Sequence, residues 1–377
     1  MNIKEIKYAH PDFNSIYDID GFFDTVKNDF PELNKQGIFY EEKNPGIFIY
    51  RIKTKLRTHY GILAGVDINE YLKGNIKKHE NTLTAQEKKI AGLMYERDAV
   101  IKPVLLAYQP VKKIKNLIVE NFLGVKPSFH LNFKKDDQIH DLFCIKSKKD
   151  IKEFQKAFKR NVKTAYIADG HHRMSSISTI LEQGHHLTDK GFKYLFCALF
   201  DFDELSIFPY NRFVQLDNLI SADVFFDKVI EFGKLKELCD PAKPTKKHQL
   251  IFYFAGKYFN FVWDKKMIGA SKKLNGVSFD IDLFNKHILG DILHIKDIRS
   301  DQRIGYVEGT KSWKTVIKNL PHPEQTLAVQ FYPVRKTDFT KIADQHKVLP
   351  PKSTWFEPRI RNGILIQELN LPGLNHE

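Results

Sequence analysis

The residues of this chain best suited to chemistry lie in one short run, Tyr166 to Arg173, reading YIADGHHR. An apolar segment ends in a carboxylate and a glycine, Asp169 and Gly170, followed by His171, His172 and Arg173. Ile177, Ile180 and Leu181 follow at helical spacing. The run therefore predicts a strand, a tight turn and a helix. Such a turn gathers backbone N–H groups and the positive end of the helix dipole at one point. Adding two histidines and an arginine makes a place that favours an anion, with Asp169 at its edge as a base or metal ligand. Five polar or special residues in a row are more than packing requires, so we read a functional site here rather than a histidine-rich structural turn.

A second polar cluster lies upstream. Gly74 to Thr82, GNIKKHENT, offers Lys77, Lys78, His79 and Glu80 consecutively before a helix expected from about Thr84 to Ala99. Neighbours in sequence diverge on any regular element, so these four cannot all serve a core; by spacing alone they read as an exposed charged turn. A third cluster is Leu349 to Asn362, LPPKSTWFEPRIRN, whose prolines force an extended or turning path. Lys352, Ser353 and Thr354 suit a phosphate contact, while Trp355 and Phe356 suit anchoring of the tail on the body of the protein.

The elements that must position these clusters read as a mixture of helices and strands. Tyr17 to Phe30 is expected as a helix ending before Pro31. Gly46–Ile52 and His59–Val66 are expected as paired strands, and Asp67, with Glu70 behind it, as a helix cap. Lys102–Tyr108, Phe129–Phe133 and His140–Ile145 read as strands, Ile114–Phe122 and Asp150–Phe158 as helices. Tyr194–Asp203 is expected as a strand beside the one leading into Asp169. Further on, His248–Phe254 and Lys257–Trp263 alternate around Ala255 and Gly256, a hairpin signal. Asp282–Leu289 reads as a helix capped by Gly290, and Leu327–Val334 as the last strong strand. No convincing helix-turn-helix follows the 169–173 turn.

The chain has 377 residues, with 59 basic against 46 acidic residues and hence a net charge of +13. The excess favours anionic partners such as phosphorylated metabolites and nucleotides. The lysines are spread along the chain, which argues against nucleic acid as the partner. The three cysteines, Cys144, Cys197 and Cys239, lack metal-ligand or disulfide spacing and suit a reducing cytoplasm. No apolar run has the length of a membrane span, and a soluble cytoplasmic protein is expected, for which a homodimer is compatible. P-loop, GxGxxG and GxSxG motifs are absent. Zinc is disfavoured: His171 and His172 are adjacent, as are His185 and His186, and adjacent side chains on a helix diverge by roughly 100°. Mg²⁺ held by Asp169 and substrate phosphates is the more natural metal.

The blocks GNIKKHENT, KPVLLAY, YIADGHHR and LPPKSTWFEP, in this order, resemble the family described as domain of unknown function 1015. The DGHHR turn is also similar to the turn of ParB/sulfiredoxin-like proteins, which include free-serine kinases. The resemblance implies an α+β fold: a ParB/sulfiredoxin-like mixed-sheet core over residues 1–210, and an α+β region over 211–377 whose tail, 349–362, docks back on the core. It implies ADP or ATP as cofactor, with Gly170, His171, His172 and Arg173 lining its phosphates, assisted by Lys77, Lys78, His79 and by Lys352, Ser353 and Thr354. It implies Mg²⁺ at Asp169. By position Glu80 matches the carboxylate thought to act as base on the serine hydroxyl, beside Asp169 and His172 as catalytic residues. The activity implied is phosphoryl transfer to serine, or from phosphoserine in reverse. The other activity class is a ParB-like nucleotide-binding protein associated with DNA, or a nucleotide-binding regulator without catalysis.

Overall fold

The computed structural model describes residues 1–82, 84–182, 193–216 and 220–369; His185 and His186, and the side chains of Ile180 and Leu181, lie outside what it describes. The chain forms two compact units. One comprises Met1–Ser206 together with Pro358–Glu377, and the other Ile207–Glu357.

Among the described residues, the first unit holds a nine-stranded mixed sheet. Its order runs Ile76–Lys77, Ala165–Asp169, Val104–Tyr108, Tyr194–Asp201, Thr58–Asp67, Ile47–Lys53, Gln138–Ile145, Phe129–Phe133, with Ile3–Lys4 pairing on Thr58–Asp67. Two pairs are parallel, Ala165–Asp169 with Ile76–Lys77 and Tyr194–Asp201 with Val104–Tyr108, and the other pairs are antiparallel. Val104–Tyr108 is flanked on both sides and buried throughout. That is why it reads VLLAY rather than alternating with polar residues. Tyr194–Asp201 does not lie beside the strand leading into Asp169. Its parallel ladder with Val104–Tyr108 places one strand between them.

Helices cover the sheet. Lys148–Asn161 is capped by Ser147, whose Oγ accepts from the Asp150 amide at 3.3 Å, and it buries Ile151, Phe154, Ala157 and Phe158. Ile19–Lys35 starts at Asp18, which accepts from the Gly21 amide at 3.0 Å, and runs through Pro31 rather than stopping before it. Proline there removes one backbone bond. The buried face of Phe23, Val26 and Phe30, with Phe23 and Phe30 packed against Phe133 and Phe39, anchors the helix up to the residue before the proline. A four-stranded antiparallel sheet, Phe39–Glu41, Tyr8–Pro11, Ile366–Glu368 and Ala99–Val100, brings the C-terminal segment into this unit.

The second unit carries a six-stranded antiparallel sheet in the order Gly233–Leu238, Lys257–Trp263, Gln249–Phe254, Thr326–Phe331, Tyr210–Gln215, Ile304–Glu308. Ala255 and Gly256 turn the expected hairpin with φ of 46° and 84°. The helix expected to end at Gly290 instead continues as wide π turns over Phe284–Ile292. Leu289 and Ile292 are buried on either side of that glycine, so packing carries the helix past its predicted cap. Asn285 in its first turn meets the guanidinium of fully buried Arg212. Among the described residues, no helix is long and apolar enough to cross a membrane.

Leu106, completely buried at the centre of the first unit's sheet, tests this account. Leu106→Ala should cost about 2–5 kcal/mol, read as a lower urea midpoint with unchanged slope. A loss well under ~1 kcal/mol would contradict the strand's central position.

Candidate functional site

The parallel pairing of Ile76–Lys77 with Ala165–Tyr166 determines what meets at the sheet edge. Chain leaving two parallel strands emerges at the same end, so Lys78–Glu80 and Asp169–His171 arrive together, at the carboxyl ends where α/β sheets gather their ligands. Val104–Tyr108 runs antiparallel to Ala165–Asp169, so its entrance, Lys102 and Pro103, lies at that end too. The register slips between Ile167 and Asp169. Such a bulge re-aims the following side chain, here Asp169.

Gly170 then turns the chain with φ 98° into the helix His171–Glu182. A side chain at Gly170 would also collide with Arg173, since a Cβ there would lie 2.6 Å from Nη2. Arg173 has no slack to give. Its Nη1 donates to the carbonyls of Lys102 at 2.9 Å and Pro103 at 2.8 Å, and its Nη2 donates to Asp169 Oδ2 at 2.8 Å.

Asp169 is the centre of a cation cluster. Lys102 Nζ lies 2.9 Å from Oδ2, and Arg359 Nη1 lies 3.5 Å from Oδ1. Burial alone would raise the Asp169 pKa, but Arg173, Lys102 and Arg359 together hold the carboxyl far below the usual carboxylate range. Burial in turn pulls Lys102 down to about 8, with Asp169 opposing that and both arginines adding to it. Three cations thus converge on one carboxylate.

This arrangement does not fit Mg²⁺ at Asp169. Both carboxylate oxygens already face cations, which a metal ion would have to displace. Asp169 is the counter-ion of the cluster, and we correct its assignment as metal ligand accordingly.

The histidines divide. His171 is buried and its Nε2 lies 3.1 Å from Nδ1 of His79, which is 2% exposed. Burial pushes His171 down to about 4 and His79 well below its ordinary value, so both rings are neutral. His172 is only partly buried, yet its Nδ1 is enclosed with no hydrogen-bond partner. Ser176 Oγ lies 2.6 Å from the His172 carbonyl and 2.8 Å from that of Glu87, tying this helix to Thr84–Arg97. Glu80 is half-buried, with a carboxylate oxygen within 4.8 Å of one ring nitrogen of His79 and one of His171.

The upstream cluster is therefore more than an exposed charged turn: Ile76–Lys77 is a strand, His79 is buried, and Glu80 reaches the turn, while Lys78 is exposed and acts on His171 by its charge. Lys352, Ser353 and Thr354 belong to the second unit. There Ser353 Oγ donates to the Pro350 carbonyl at 2.6 Å and Lys352 Nζ sits 5.0 Å from the Tyr210 ring centre. Sequence reading passed over two members of the cation cluster. Lys102 carries a visible signal, a charge at the mouth of a wholly apolar strand, whereas Arg359 carries none.

The family model described as "Protein of unknown function (DUF1015)" matches residues 1–284. The chain belongs to this DUF1015 family. No curated protein matches the DUF1015 chain. Among solved structures it is similar to SbnI with a C-terminal truncation from Staphylococcus aureus, at 10% identity and TM-score 0.43, covering 83% of this chain and 90% of that one. It is also similar to a free serine kinase in complex with AMP, at 12% identity and TM-score 0.39, covering 80% and 92%. A conserved hypothetical protein from Pyrococcus furiosus overlaps at 13% identity and TM-score 0.38, covering 82% and 97%. Overlaps at this level say nothing of chemistry in the DUF1015 chain.

Gly170→Ala should force either the positive φ or the Arg173 guanidinium to yield, at a cost of roughly 1–3 kcal/mol. Denaturant unfolding measures it, and unchanged stability would show that the turn tolerates a side chain.

Proposed function

We propose that this protein is a nucleotide-dependent phosphotransferase that moves a phosphoryl group between a nucleotide and the hydroxyl of serine, in either direction. The observation that carries the reading is the convergence of Lys102, Arg173 and Arg359 on one carboxylate at a helix N-terminus. The first turn of a helix has N–H groups without intrahelical acceptors, and the cations gathered beside them suit phosphates. Phosphoryl transfer needs placement and neutralisation of the charge on the moving group more than it needs covalent chemistry. The fixed guanidinium of Arg173 is preorganised for that, being held on its far side by two carbonyls. The enclosed Nδ1 of His172 is a further polar group for a phosphate oxygen.

Glu80 is the proposed base. It lies at the edge of the turn, where a carboxylate can take the proton of an acceptor hydroxyl. Serine as acceptor rests on the similarity of DGHHR to the turn of free-serine kinases. Mg²⁺ enters this reading only as the companion of the nucleotide phosphates.

³¹P NMR with serine and ATP, and with phosphoserine and ADP, each with Mg²⁺, is the test. A phosphoserine signal growing in the first mixture, or vanishing in the second, is expected. No phosphorus change in either mixture sinks the proposal. Glu80→Gln should lower turnover by roughly 10²–10⁴-fold while nucleotide still binds; retained turnover refutes the base.

Lys102 gives a pH signature. A bound polyanion raises its pKa from about 8, so nucleotide binding near that pH should take up a proton and weaken as pH rises. Calorimetry in buffers of different ionisation enthalpy reads this, and absence of proton uptake would remove Lys102 from the site. Without ligand the sign reverses for folding. The unfolded chain keeps the proton up to about pH 10.4, so the Lys102 contribution to stability rises with pH between the two values.

A further inference from the structure

We propose that His79, Glu80 and His171 form a binding site for one divalent transition cation of the zinc class. Two imidazole nitrogens, His79 Nδ1 and His171 Nε2, face each other at 3.1 Å. Glu80 stands beside them: one of its carboxylate oxygens and one ring nitrogen of each histidine all lie within 4.8 Å of one another. Among the described residues this is the one group of three or more histidine, cysteine, aspartate or glutamate side chains so close together.

The spacing suits ligation. Two nitrogens bound to zinc at about 2.0–2.1 Å in a tetrahedral arrangement stand roughly 3.3 Å apart. A bare histidine–histidine hydrogen bond would give a similar separation; what points to ligation is the carboxylate of Glu80 beside the pair as a third donor. Two imidazoles and one carboxylate are a borderline set that selects zinc, cobalt or iron over magnesium. The Ile167 carbonyl accepts a hydrogen bond from the His79 ring. That is how a ligating imidazole is commonly oriented and its tautomer fixed. The ligands come from two stretches 92 residues apart, pinned by the ladder of Ile76–Lys77 on Ala165–Tyr166. Three protein ligands leave a fourth position for water or substrate. Glu80 needs one oxygen for the metal and retains the other.

The site stands without the phosphotransferase reading, because it rests on these three side chains alone and binds metal without nucleotide. The probe is Co²⁺, added to the 377-residue chain prepared without an affinity tag and stripped by a chelator. Saturation at one ion per chain, with the visible absorption of low-symmetry Co²⁺, is expected, and Zn²⁺ but not Mg²⁺ should displace it. His171→Gln should weaken binding by about 100-fold or more, beyond what loss of an outer-shell partner costs. Glu80→Gln, at a half-buried position that a glutamine fits, gives the same readout if His171→Gln fails to fold. An absence of saturable Co²⁺ binding, displacement by Mg²⁺, or unchanged affinity in Glu80→Gln each overturns the site. None of these outcomes bears on the ³¹P result.

Discussion

A carboxylate removed from water stays ionised only when opposite charge and hydrogen bonds surround it. Asp169, partly buried at the end of its strand, is in that position, and three cations from distant parts of the first unit satisfy it. Lys102 comes from the mouth of a buried strand, Arg173 from a helix on the next turn, and Arg359 from the far end of the sequence. Arg173 does double duty, since the carbonyls of Lys102 and Pro103 hold the face of the guanidinium that Asp169 leaves. The pair is thus a structural joint as well as a source of field.

The backbone sets this up before any side chain acts. A parallel ladder of two residue pairs brings Lys78–Glu80 beside Asp169–His171, and a bulge of one residue aims Asp169 at the neighbouring strand's entrance. Gly170 completes the geometry because its φ and the proximity of Arg173 both exclude a Cβ. The same ladder places two neutral imidazoles ring against ring, with centroids 4.3 Å apart. Anion-favouring and metal-favouring groups therefore share one edge of the sheet without sharing side chains.

What could be read from the sequence was local. The strand, glycine turn and helix of YIADGHHR, the Ala255–Gly256 hairpin and the apolar Val104–Tyr108 strand each depend on residues within a few positions. What could not be read depends on distant pairing. The adjacency argument against zinc compared His171 with His172, whereas the ring that His171 meets belongs to His79. Nothing near Arg359 marks it as a partner of Asp169. Pro31 and Gly290 carry strong local signals to stop a helix, and the chain runs on through both; at Gly290 buried residues on either side, Leu289 and Ile292, overrode the signal. The mixed sheet itself was expected, but its strand order was not, because a parallel crossover hides which edge a strand will take.

The discontinuity of the first unit bears on how the chain folds as it is made. Residues 207–357 form the second unit within a single stretch, whereas the strand Ile366–Glu368 pairs with Tyr8–Pro11 and Ala99–Val100. Synthesis proceeds at about 5–20 residues per second, so roughly ten to forty seconds separate Asp169 from Arg359. During that interval the buried carboxylate lacks one of its cations and the small sheet lacks a strand. A ribosome-bound chain can finish the inserted unit first, while the surrounding one waits for residues 358–369 to emerge. The charged turn can therefore reach its full set of cations only after the whole inserted unit has been made.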